Sequence, residues 1–373
     1  MRTRVCDMFG IDVSIFGFTH CRDVAAAVSK AGGMGILGAA TFSPEELELE
    51  LRWLDANCGG RPYGVNVLMA ESRTEGTEEE LQRLIPQGHR EFVQQLNERF
   101  EIPPLREGAQ GGGHGSPIAR NMGLRSTHGW ARPQLEVVFR HNPAVLFSAL
   151  GPAPADVVER AREKGMKIGG MTGSGRHAEK HIAAGADVIT ATGYEGGGHN
   201  SDVTTMVLVP EVIEAAAGRV PVLAAGGIAS GRQIAAALAL GAEGAWLGTI
   251  WLPSAESDFD EAAIEQMLKG GSHDTIRTKA WSGKPTRFLR NPWFDAWEEE
   301  GVPKPLGTPL QRMLIQPAMK RIAAAGRNDI TPVPIGQVVG QLRQRRRVRD
   351  IMQDLQKEYL DAVERLNALQ PAP

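Results

Sequence analysis

Ten residues, Gly193 to Asp202, read GYEGGGHNSD and follow the apolar β-branched run DVITAT. They place one imidazole, His199, directly after Gly196, Gly197 and Gly198. Glycine has no Cβ, so a flat ring or a phosphate can approach the backbone closely there. A histidine beside that surface can exchange protons near neutral pH. The segment therefore reads as the floor of a cofactor site with an acid–base group at its edge. The competing reading is a Gly-rich turn that carries an exposed histidine.

Two further glycine-bearing segments lie downstream, PVLAAGGIASG (221–231) and WLGT (246–249). Gly226 and Gly227 permit close approach to the main chain, and Ser230 stands where it can cap the next helix. Gly248 and Thr249 add a bare N–H and a hydroxyl. Glycines that merely end strands would explain either pair alone. Together they fit a phosphate held by backbone N–H groups. A phosphate there and a glycine floor at 196–198 describe a long ligand lying across one surface, and flavin mononucleotide (FMN) has that shape.

Such residues need a scaffold that brings loops from distant segments to one end. The chain repeats a unit in which a short apolar run ends at a small residue and an amphipathic helical pattern follows. Eight runs fit: IDVSIFG (11–17), GMGILG (33–38), YGVNVLM (63–69), AVLFSALG (144–151), MKIGGMT (166–172), DVITATG (187–193), PVLAAGG (221–227) and GAWLGT (244–249). The segments between them, such as SPEELELELRWLDANCG and SGRQIAAALALGA, mostly open on Ser, Asp or Pro and close on Gly, as capped helices do. Apolar runs joined by helices imply a parallel sheet buried on both faces. Eight of them imply a closed (β/α)8 TIM barrel with its site at the strand C-termini. An open doubly wound sheet is the alternative, but the first strand-to-helix turn lacks the GxGxxG fingerprint expected of a dinucleotide fold.

Two stretches break the repeat. The third connection, about 71–134, contains EEELQRLIPQGHREFVQQLNERF and a glycine-rich patch, GGGHGSP, whose His114 is a lesser candidate for closing over the site. Everything after Pro253 forms the second break, with Trp281, Trp293 and Trp297 marking a segment that folds against the barrel. The expected organisation is thus a barrel over 1–253 with that insertion, and a C-terminal helical lid over 254–373. The run QLRQRRRVRD (341–350) reads as the solvated face of a closing helix, not a nucleic-acid patch, since no aromatics interleave it.

A formal charge of −3 gives no basic field for nucleic acid or anionic lipid. Cys6, Cys21 and Cys58 are odd in number and lack metal-ligand spacing, so reduced thiols in a cytoplasmic protein and no metal site are expected. MRTRVCDMFG lacks the apolar core of a signal peptide, and no stretch of 18 apolar residues would span a membrane.

GGMGILGA (32–39), YGVNVLM, AGADVITATGYEGGGHNSD, VPVLAAGGIASG and GAWLGT, in that order and spacing, resemble the nitronate monooxygenases, formerly called 2-nitropropane dioxygenases. TKAWSGKPTR and GQVVGQLR (336–343) resemble that family's C-terminal region, so the likeness covers nearly the whole chain apart from the third connection. It implies FMN as cofactor and oxidation of alkyl nitronates, with nitroalkanes as further substrates, by dioxygen to a carbonyl compound and nitrite. Flavin-dependent enoyl-acyl-carrier-protein reductases and quinone reductases look similar at these motifs. An NAD(P)H-dependent reductase is therefore the nearer alternative, and a flavin-binding protein without turnover the farther one. The resemblance assigns catalysis to His199 and flavin contact to Asn66, Thr192, Gly197 and Gly198. Gly226 and Gly227 fall at the phosphate, and Trp246, Leu247, Gly248 and Thr249 match a phosphate-binding stretch. The expected partners are a small-molecule nitronate and dioxygen, with a homodimer as candidate assembly. The departures are local. The first run ends in FGFTH and is several residues shorter where the family commonly carries a Pro-Met pair. Thr192 stands where the family usually presents glutamine, and Asn200, Ser201 and Asp202 replace small residues.

Overall fold

Each of the eight apolar runs contains one short strand, and these pair side by side in parallel. They are β1 (Ile15–Thr19), β2 (Met34–Gly38), β3 (Tyr63–Val67), β4 (Val145–Ser148), β5 (Lys167–Thr172), β6 (Val188–Thr192), β8 (Val222–Ala225) and β9 (Gly244–Leu247). The order β1-β2-β3-β4-β5-β6-β8-β9 closes on itself, with Phe16 of β1 beside Trp246 of β9. The expected TIM barrel is thus the fold. The computed structural model describes residues 1–69, 77–105 and 128–369, except for the side chains of 128–130. The glycine-rich patch of the third connection and His114 lie outside the described residues.

Alternation along each strand sorts the side chains into two cores. Inward positions, among them Phe16, Ile36, Phe147, Leu223 and Trp246, fill the barrel. Outward positions such as Val65, Leu146 and Leu247 pack under the ring of helices. The helix Arg4–Phe9 plugs the N-terminal end of the barrel: Val5, Cys6 and Phe9 join the interior cluster, and Phe9 meets Phe16 edge-on at 5.7 Å. Capping follows the sequence signals where they are strongest. Ser43 and Glu46 form a reciprocal capping box, and Ser174 and Ser230 accept from the backbone N–H three residues on.

Beyond the barrel lies a three-stranded sheet of order β10-β11-β7, with β7 at Gly198–His199, β10 at Thr275–Thr278 and β11 at Thr286–Leu289. A second apolar core supports it. Phe92, Val93 and Leu96 of the third connection pack with Trp281, Phe288, Trp293 and Trp297 of the C-terminal region. Phe92 meets Trp297 edge-on at 4.9 Å. The two breaks in the repeat therefore share one core, which explains the aromatic content of the later one.

The last helix, Val348–Asn367, returns to the barrel and lies along the helix Gly231–Ala239. We propose that folding units divide near residue 253, with this closing helix crossing back to the first unit. Its basic approach is paired: Arg345 with Glu261, Arg346 with Asp354 and Arg347 with Asp350. That pattern fits a solvated face. Among the described residues no helix is long and apolar enough to cross a membrane, and all three cysteines are free and buried.

Close approach of the closing helix depends on Gly231. A Cβ there would lie 2.2 Å from the Leu355 carbonyl oxygen and 2.3 Å from the Tyr359 nitrogen, and the Gly231 N–H donates to Glu358 Oε2 at 2.8 Å. Alanine in a helix ordinarily stabilises by roughly 1 kcal/mol over glycine. Here overpacking reverses the sign, and Gly231→Ala should cost roughly 1–3 kcal/mol or more in thermal or urea unfolding. A stabilised variant would contradict this seating of the last helix.

Candidate active site at the barrel mouth

The inward positions nearest the strand C-termini form the floor of the mouth. Asn66 on β3 is buried, and its Nδ2 finds only the weakly accepting Met171 sulfur, at 3.3 Å. Thr190 and Thr192 on β6 both bury their hydroxyl oxygens without a hydrogen-bond partner among the described residues. Unpaired buried polar atoms are costly, so the two β6 hydroxyls, with the weakly bonded Asn66 amide on β3, mark a place for a polar ligand. Thr190, which the motif reading passed over, has the same β6 alternation as Thr192 and was legible by that spacing. Trp246 lies in the same layer but not as a polar contact. Its ring stacks on Phe18 at 5.6 Å and meets Phe147 edge-on at 4.7 Å. Leu247 points outward into the helix-facing core, and its carbonyl accepts from Trp251 Nε1 at 2.8 Å. Leu247 can reach a ligand only through its backbone.

After β8 the chain turns through Gly226 and Gly227 at φ +102° and +69°, conformations that glycine adopts without strain. After β9 it enters a short 3-10 helix, Thr249–Trp251, whose first residue follows Gly248. The N–H groups of Gly227, Ile228, Gly248 and Thr249 meet no acceptor among the described residues. Four such donors from two adjacent strand ends are the chemistry of an anion cradle. A Cβ at Gly248 would meet open space, whereas one at Gly227 would lie 3.0 Å from Glu195 Cβ. Thr249 Oγ1 accepts from the Gly336 N–H at 2.8 Å, so the hydroxyl proton is left to donate elsewhere.

The glycine loop is held from several sides. Tyr194 lies between Arg277 and Arg287, whose guanidinium carbons are 5.2 and 4.6 Å from its ring centre. Asn200 donates to the carbonyls of Tyr194 and Gly196 and accepts from Arg277 Nε, while Asp202 pairs with Arg277 at 2.6 Å. Ser201 Oγ donates to the Gly173 carbonyl at 2.7 Å. The three residues that depart from the family pattern thus fasten the loop. Gly197 is bare for a local reason: a Cβ would fall 2.7 Å from Ile335 C and 2.8 Å from Gly336 N. The segment around Gly336 straps the loop down, with the Gln337 N–H donating to the Glu195 carbonyl at 3.0 Å. Gly198, at φ +72°, has open space where a Cβ would point.

His199 lies opposite Thr286 in the β7–β11 pair, so the C-terminal sheet fixes its backbone. Its Nε2 is 2.8 Å from Ser282 Oγ. The residue is exposed to solvent, although protein atoms crowd around the ring. Desolvation, followed by the nearby cations Lys284 and Arg312, pushes its pKa down to about 4. The ring is therefore neutral at pH 7 and able to accept a proton. Ser282 and Lys284 lie within the TKAWSGKPTR segment, but nothing in the sequence places them beside His199.

A model of the family described as nitronate monooxygenase matches residues 11–358. A Mycobacterium tuberculosis protein whose name calls it a monooxygenase is 44% identical over 385 residues, covering 99% of each chain. A probable nitronate monooxygenase of Staphylococcus saprophyticus is 30% identical, covering 84% of each. Among solved structures, the nitroalkane oxidase of Streptomyces ansochromogenes superposes with a TM-score of 0.78 at 26% identity, covering 97% of this chain and 99% of that one. FabK of Thermotoga maritima does so with 0.75 at 28%, covering 99% and 100%.

Removing the cation that acts more strongly on His199 tests the electrostatics directly. A cation disfavours the imidazolium, so Lys284→Met should raise the His199 pKa, and the acid limb of any activity that needs the neutral ring should move to higher pH. The NMR titration of His199 checks it. A downward or absent shift would mean that Lys284 does not act on the ring.

Proposed function

The chain belongs to the nitronate monooxygenase family and is an oxidoreductase, and from that premise we propose that it binds FMN at the barrel mouth and oxidises alkyl nitronates. Dioxygen is the oxidant in this reading, the products are a carbonyl compound and nitrite, and neutral nitroalkanes enter after losing their α-proton. The observation that carries it is a neutral, exposed imidazole on a glycine loop, on the same barrel as four unpaired backbone donors.

The residues present fit the cofactor. The Gly227, Ile228, Gly248 and Thr249 N–H groups and the Thr249 hydroxyl would hold the phosphate, with Gly226 giving the turn its shape. Asn66, Thr190 and Thr192 would meet polar atoms of the ring system, and Gly198 leaves room beside it. FMN, when bound, supplies the electron transfer and the reaction with dioxygen. The chain supplies proton control. Ser282 Oγ can accept from the His199 Nε2–H while passing its own hydrogen to the Lys284 carbonyl at 3.4 Å. In that arrangement Nδ1 is the basic nitrogen, free to take the α-proton of a nitroalkane. Lys284 and Arg312, which add to desolvation in lowering the His199 pKa, also favour an anionic nitronate at the site.

Two substitutions separate the parts. Gly227→Val sets a branched side chain against Glu195 at a positive φ, and the protein should purify largely colourless. Full flavin content in that variant would refute the phosphate placement. His199→Asn should lower turnover of neutral nitroalkanes by about 10² to 10⁴, the span of a lost general base. Nitrite release from preformed nitronates should fall far less, with flavin content near wild type. Equal losses on both substrates would assign His199 to anion binding, and no loss on either would remove it from the reaction.

A further inference from the structure

His20 has no part in the reaction described above, yet its setting is that of a built site. It follows β1 directly and stands two residues beyond Phe18, so strand alternation puts both on the inner side of the wall at the C-terminal end. Phe18 stacks on Trp246 at 5.6 Å and meets the His20 ring edge-on at 5.2 Å. Across from it Gly38 ends β2, and the ring fills the space that a side chain there would occupy: a Cβ on Gly38 would lie 2.5 Å from His20 Cε1. FTH stands here in place of the family's common Pro-Met pair.

The hydrogen bonding fixes the tautomer. Nδ1 lies 2.9 Å from the Gly38 carbonyl oxygen, and a carbonyl only accepts, so Nδ1 carries the proton. Burial lowers the ring's pKa against the opposing effect of that bond, which favours the neutral form. Nε2 is then a lone-pair acceptor. Among the described residues nothing donates to it, and it is not one of the buried polar atoms sealed from solvent.

We propose that His20 is a hydrogen-bond acceptor of the barrel mouth, its Nε2 taking an N–H or O–H from the molecule bound there. The inference rests on the proposed function for the identity of that molecule. Two sources share the chemistry: the imide N–H of the flavin ring, or a donor group on the substrate beyond its nitronate carbon. An acceptor with a fixed tautomer discriminates, because a bound molecule without the donor leaves it unpaired.

His20→Asn keeps an amide donor for the Gly38 carbonyl but is too short to place an acceptor at the Nε2 position. His20→Gln returns an acceptor close to it. If the donor is the flavin, His20→Asn should weaken FMN binding to the apoprotein about tenfold, with partial recovery in His20→Gln. If it is the substrate, FMN affinity should hold while KM for the nitronate of 2-nitroethanol rises about tenfold and that for ethyl nitronate changes less than about twofold, at similar kcat. Nitrogen NMR of the wild-type protein should report the Nδ1–H tautomer and a response at Nε2 to whichever ligand binds. A His20→Asn protein that melts like wild type and keeps all these values would overturn the proposal. Wild-type protein that releases no nitrite from either nitronate would defeat the proposed function instead, and FMN affinity with the His20 nitrogen signals would then decide His20 alone.

Discussion

Two residues of β7, Gly198 and His199, pair with Thr286 and Arg287 of β11, and much of the site depends on that short contact. A glycine-rich loop has little side-chain packing to hold it and loses more entropy on ordering than any other kind. The pairing ties it to a sheet that rests on the second apolar core, which holds Trp281, Phe288 and Trp293. The Gly336 strap presses it from another side, where any Cβ at Gly197 or Gly336 would collide. Order in the loop is thus supplied in part by chain more than 80 residues away, and described residues of both breaks in the barrel repeat share the core behind it.

The same contact sets the electrostatics. Desolvation of His199 there, with Lys284 and Arg312 adding to it, makes the imidazole a neutral base and not a cation. Elsewhere on the barrel, the turns after β8 and β9 leave backbone donors without an acceptor among the described residues. Both effects favour an extended anionic ligand and a substrate that carries or develops negative charge. Glu195 is a restraint on this pattern: its carboxylate is occupied by the Thr205 N–H at 2.9 Å and the Thr205 hydroxyl at 2.7 Å, which keeps it directed at a helix start.

The barrel was legible because each run combined β-branched residues, a small residue at its end and a capped helix after it, three signals that agree. All eight runs contain a strand, and β6 leads to His199 as read. The helix Arg4–Phe9 was not legible, since six residues offer too few turns for a periodic pattern and its role as a plug exists only against Phe16. β7 escaped for a different reason. Gly-His has no strand propensity and is extended only because β11 pairs with it. Trp246 matched a phosphate motif by position, and alternation along β9 turns its ring into the barrel against Phe18. Ser282 and Gly336 act through contacts between residues 83 and 87 positions apart, which no local spacing encodes.

The central claim is that this mouth oxidises nitronates through a bound flavin, with proton control from His199. Anaerobic stopped-flow absorbance of the purified protein, mixed in turn with propionate 3-nitronate, NADH and NADPH, tests it most directly. The account predicts rapid loss of the oxidised-flavin band with the nitronate and no comparable change with either pyridine nucleotide. Rapid bleaching by NADH or NADPH, with the nitronate inert, would contradict it and identify the chain as a reductase.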